Sequence, residues 1–144
     1  MNHLLLARVS LSCLCALQGL GTLGIDFNRT HATNPGWTGH ARFHVVWQST
    51  SVALLSVVEL LLIWLGPYQH GGFYLASLLA AVSPLGFLTA FVYRGTFGGT
   101  LSDANGIPPA RLKIFGAIHS VDLNLVAVVV ALISLVAINA IYKA

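Results

Sequence analysis

Charge is scarce in this chain: seven Lys and Arg and four Asp and Glu make up 8% of 144 residues, against about 25% in an ordinary soluble domain. A water-soluble helical bundle needs a charged face on each helix, and too few charges are present to build one. Cysteine is nearly missing as well. Cys13 and Cys15 stand two apart in one apolar run, so on a helix they point in different directions. That spacing excludes a Cys-x-x-Cys redox pair and argues against a disulfide between them. Both read as small apolar fillers. The sequence pI near 9.2 comes from basic residues scattered along the chain. There is no basic stripe, which argues against a nucleic-acid partner.

Long apolar runs are what the chain does have. Hydrophobic residues are 56% of the total, and they gather at about 4–24, 43–65, 73–93 and 118–142. Each run reaches the roughly 20 residues needed to cross a bilayer core about 30 Å thick. These features predict an all-α, integral membrane, four-helix transmembrane bundle forming one domain over 1–144, with membrane lipid as its surroundings. The first run lacks a basic leader, carries Arg8 inside it, and is long for the apolar region of a signal peptide, so it reads as a span. Small residues such as Gly19, Gly21, Gly24, Ala80 and Ala81 permit close helix contacts.

With four spans, the 25–42 and 94–117 loops share one side. They carry Arg29, Arg42, Arg94, Arg111 and Lys113, whereas Lys143 and Arg8 lie toward the other side. The positive-inside rule places both long loops in the cytoplasm and the termini opposite. Asn28-Arg29-Thr30 is a glycosylation triplet that would be usable only with the reverse orientation. Asn34-Pro35 marks the start of the second helix or of an interfacial turn before Ala41. Ser83-Pro84 should kink the third span, which is tolerated where a neighbouring helix or a Ser side chain satisfies the freed carbonyl. Gly66-Pro67 and Gly71-Gly72 bracket a tight second loop. Gly98-Gly99 lacks the Gly-Lys-Ser/Thr of a phosphate loop.

Polar residues converge by depth on one layer near the cytoplasmic interface. His40, His44 and Gln48 recur every four residues, so they share a helix face. A fourth helix starting at 118 would place His119 and Asp122 on one face at the same level. Asp26, His31 and Arg42 belong to the preceding loop region, and Gln18 approaches from the first helix. Glu59 and Arg8 fall near the opposite interface, where an ion pair would reduce the cost of burying either. His3, His70 and Asp103 read as solvated.

Three roles compete for the layer. Acid–base catalysis would use His31, His40, His44 and His119, oriented by Asp26 and Asp122. A metal site would begin from His40 and His44, whose spacing lets two imidazoles share one ion. Ala41 follows His40, so the glutamate of a His-Glu-x-x-His protease is missing, and the repeated histidine boxes of membrane di-iron oxygenases are missing too. The third role is anchoring of helix ends at the interface. Trp37, Phe43 and Trp47 would wall an apolar pocket or form an interfacial belt. Arg42, Asn34 and Gln48 are the polar substrate-binding candidates.

The stretch Asp26, Thr30-His31, Asn34-Pro35-Gly36-Trp37 and His40-Ala41-Arg42-Phe43-His44 resembles a family of small four-helix membrane proteins from bacteria and fungi. The resemblance covers about a seventh of the chain. It implies a four-helix membrane fold and a site at these residues, and it implies no activity. A fainter, architectural similarity is to emopamil-binding, sterol-isomerase-like proteins, helical bundles with acid–base residues around a lipophilic pocket.

The first expectation is therefore a membrane enzyme acting on a lipophilic small molecule by acid–base chemistry, of isomerase, cyclase or hydratase type. The second is a non-enzymatic lipid-binding or transport subunit, which four helices could support only as a homo-oligomer or with a partner. The third is a metal-dependent oxidase or hydroxylase. Neither a substrate nor a cofactor is named by the residues.

Overall fold

The computed structural model describes residues 2–65 and 69–144 and, over them, contains four long helices and one β-hairpin. Helix α1 is His3–Asp26, α2 is Gly39–Leu65, α3 is Gln69–Tyr93 and α4 is Leu123–Lys143. All four are long and apolar enough to cross a membrane. The all-α expectation needs one correction: strands β1 (Ala110–Ile114) and β2 (Ala117–Val121) pair antiparallel ahead of α4. The fourth helix accordingly starts at Leu123 and not at 118. Arg111-Leu112-Lys113-Ile114 alternates polar and apolar residues, the period of a strand. Phe115 (φ 48°) and Gly116 (φ 85°) form the two-residue turn, which needs positive φ at both positions. Of the loop expected between α2 and α3, Gly66-Pro67 lies outside the described residues, while Gly71 and Gly72 are in α3.

Helix α1 packs on α2 and α4, and α3 packs on the same two, so α1 and α3 stand diagonally. Residues at three- and four-residue steps supply the core: Ala7, Leu11 and Cys15 of α1, Phe73, Ala76 and Ala80 of α3, and Leu135, Ile138 and Tyr142 of α4, with Ile63 of α2. These positions all lie in the half of the bundle nearer the chain termini. Phe73 and Tyr142 stack with ring centroids 3.7 Å apart, and the Tyr142 hydroxyl lies 3.0 Å from His70 Nδ1. His70 thus packs on the end of α4, where the sequence suggested only solvent.

Close approach is set by small residues. A Cβ on Gly19 would stand 2.8 Å from the Cβ of Ser56, and one on Gly72 would strike the Leu62 carbonyl oxygen. Ser56 Oγ donates to the Cys15 carbonyl at 2.6 Å, and Trp64 Nε1 donates to Ser12 Oγ at 2.9 Å. These bonds fix the register of α1 against α2. In that register buried Glu59 lies against the Cys15 thiol.

Helix α3 runs unbroken through Pro84. Pro84 has no N–H to offer the carbonyl four residues back, that of Ala80. Gln18 Nε2 of α1 donates to that oxygen at 3.0 Å. Gln18 thus serves the bundle interior and does not join the histidines.

Candidate functional site

The α1–α2 connection is a folded loop. Asn28 organises its first part: its Oδ1 accepts from Thr30 N at 2.8 Å and Thr30 Oγ1 at 2.6 Å, and Thr30 Oγ1 lies 2.8 Å from His31 Nδ1. His31 is partly buried beside Asp26, the last residue of α1, and meets Trp37 edge to face at 5.3 Å. Asn34 is 1% exposed. Its Nδ2 donates to the carbonyls of Thr30 (3.0 Å) and Asn105 (2.9 Å), and its Oδ1 accepts from Gly36 N at 2.9 Å. All its amide positions but one lone pair are engaged within the chain, and it ties the first long loop to the third. The turn at Pro35-Gly36 delays the helix to Gly39, where Thr38 Oγ1 accepts from Ala41 N at 3.2 Å as its cap.

Helix α2 then presents His40 and His44, both exposed, with ring centroids 4.4 Å apart and ring planes at 82°. Their Nε2 atoms are 3.1 Å apart. In a neutral pair, one Nε2–H donates and the other Nε2 accepts, so the two rings are opposite tautomers. His44 continues into an aromatic run, 6.1 Å from the Phe43 ring and 5.7 Å from the Trp47 ring. A shallow groove of about 320 Å³ lies along this face, lined by His44, Trp47, Gln48 and Ser51. Ser51 lies beyond the candidates that the sequence suggested. It continues the polar stripe one turn past Gln48, and extending the spacing by three residues would include it.

The remaining expected residues stand apart from this pair. His119 is exposed on β2, opposite Leu112 in the hairpin, so the expected helical His119–Asp122 face does not exist. Asp122 is the N-cap of α4, its Oδ1 accepting from Leu125 N at 2.9 Å. Arg42 is partly buried, two positions from His40 and therefore off the His40–His44 face. Among the described residues, no hydrogen bond or ring contact joins His31 or His119 to the His40–His44 pair. No group of three or more His, Cys, Asp or Glu is placed to hold a metal ion among the described residues. The arrangement offers one imidazole donor and one imidazole acceptor at the same spot, at the head of an aromatic-walled groove. Comparison with known protein families, curated proteins and solved structures finds no match for this chain.

Proposed function

We propose that the chain is an integral, multi-pass membrane protein that acts on a lipophilic small molecule by acid–base chemistry at His40 and His44, with its long loops in the cytoplasm. The observation that carries this reading is the 3.1 Å approach of the two Nε2 atoms on a face of α2 open to its surroundings. A substrate that displaces this internal contact meets an acid and a base side by side. When the pair shares one extra proton, the neutral imidazole takes a proton from an activated C–H, and the imidazolium delivers its Nε2–H proton elsewhere on the same molecule. The double bond shifts, no oxidant is consumed, and the two rings exchange roles. Trp47 and Phe43 suit an apolar substrate arriving from the bilayer, and Gln48 can hold a polar substituent.

Helix lengths and hydropathy support the membrane reading: each of the four helices carries an apolar window compatible with a span. The positive-inside count supports the orientation. His31, held by Thr30 and Trp37, and buried Asn34 act in this reading as supports for the loop that starts α2.

The chemistry can be tested without knowing the substrate. Purified protein in vesicles of total lipid extract is incubated in D2O, and the lipophilic fraction is read by mass spectrometry. Wild type should place carbon-bound deuterium in a discrete species. His40→Ala and His44→Ala should abolish that label while the melting transition is kept. Equal labelling by wild type and both variants would overturn the proposal.

A further inference from the structure

Among the described residues, the exposed polar stripe on α2 has no counterpart on the other helices. The outward faces of α1, α3 and α4 are built from residues such as Leu17, Leu20, Leu78, Val82, Ile133 and Val136. The exposed threonine of α3 is bonded into its own helix: Thr89 Oγ1 donates to the Leu85 carbonyl at 2.8 Å. The α2 face differs. Gln48 and Ser51 are exposed, and neither has a side-chain hydrogen-bond partner among the described residues. Gln48 lies about 14 Å of helix from the start of α2 and Ser51 about 18 Å, inside the proposed span. A primary amide turned toward hydrocarbon without a partner is strongly unfavourable.

We infer that this face is the contact surface for a second copy of the chain, and that the groove of His44, Trp47, Gln48 and Ser51 becomes an enclosed pocket only in that pair. The inference rests on the membrane reading and on the groove of the proposed function, and it is independent of the proton chemistry assigned to the histidines. Two chains inserted in the same direction are related by a two-fold axis along the membrane normal, which sets equal depths opposite each other. Gln48 then meets Gln48 of the second copy and Ser51 meets Ser51. Glutamine and serine each donate and accept, so the stripe is complementary to itself. A lipid tail offers neither function. Interhelical bonds of this kind join membrane helices. The open groove is half of a site: its missing wall is the same groove of the second copy, and His40 and His44 of both copies stand at the pocket mouth.

The test uses the full chain in lipid nanodiscs, in a Cys13→Ser background. Gln48→Cys and Ser51→Cys, treated with a short bifunctional thiol reagent, should give a dimer band. Ile133→Cys, on the outward face of α4, should give none above background. Gln48→Leu suits hydrocarbon and should fold as well as wild type, yet lose the dimer seen by native mass spectrometry. Crosslinking at Ile133→Cys as strong as at Ser51→Cys, or a wild type that is monomeric in nanodiscs, would overturn the inference. A dimer band without deuterium labelling would retain the interface and remove the acid–base reading, and a labelling-competent monomer would do the reverse.

Discussion

Gln18 Nε2 donates to the Ala80 carbonyl at 3.0 Å, the oxygen that Pro84 leaves without its helical donor. A residue of one helix thus completes the backbone of another. Gln18→Leu should destabilise the protein by about 1–3 kcal/mol, because a buried carbonyl is left unsatisfied. In a Pro84→Ala background the backbone N–H gained at position 84 restores the helical bond, so Gln18→Leu should then cost far less. Unfolding of the four proteins of this cycle in mixed detergent measures the coupling. Equal costs in both backgrounds would mean that the amide does not serve the proline.

Asn34 joins the first long loop to the third through the Asn105 carbonyl at 2.9 Å, and it is almost fully buried. Asn34→Ala should lower stability by about 1–3 kcal/mol through the groups it leaves unpaired. It should also make the segment around Asn105 cleavable by added protease before the helices are touched. Protection equal to wild type in limited proteolysis would show that the two loops are held together elsewhere.

The helices are legible in the sequence because hydropathy and length mark them directly, and the satisfied carbonyl near Pro84 follows from the same physics. The hairpin is not legible from hydropathy. Ile118 and Val121 are apolar and adjoin the run that begins at Leu123, so a sliding count merges them with α4. The alternation Arg111-Leu112-Lys113-Ile114 and the Phe115-Gly116 turn are the competing signals. That merger also creates the expected His119–Asp122 face. The pairing of His40 with His44 is readable from a four-residue spacing. The separation of His31, His119 and Asp122 from it is not, because depth along a helix does not say which faces meet. The contact of Glu59 with Cys15 is hidden for the same reason: two bonds, Ser56 to Cys15 and Trp64 to Ser12, set a register that no count of residues contains.

The convergence of His40 and His44 Nε2 atoms at 3.1 Å matches the separation of two ligands on one tetrahedral ion, about 3.3 Å for Zn–N bonds of about 2.0–2.1 Å. Added Zn2+ or Co2+ should therefore bind the purified protein, with the remaining positions filled by water. Either His→Ala substitution should weaken binding by roughly tenfold or more, equivalent to about 1.4 kcal/mol. Titration followed by calorimetry, and by the visible absorption of Co2+, measures this. Under the proposed chemistry the ion takes the lone pairs that the substrate needs, so saturating Zn2+ should also suppress deuterium labelling. Binding unchanged in both single variants would place the ion elsewhere.

Asp122 separates a structural from a chemical role for the residues before α4. Its carboxylate accepts from Leu125 N at 2.9 Å at the start of the helix. Asparagine caps a helix about as well as aspartate, while alanine loses roughly 1 kcal/mol at such a position. Asp122→Asn should leave both the melting transition and the labelling of lipophilic species unchanged, and Asp122→Ala should lower the transition alone. The same melts and D2O incubations read both quantities. If Asp122→Asn keeps its stability and loses the label, the carboxylate takes part in proton transfer. The site would then have to include the entrance to α4, and a chemistry confined to His40 and His44 would be too small.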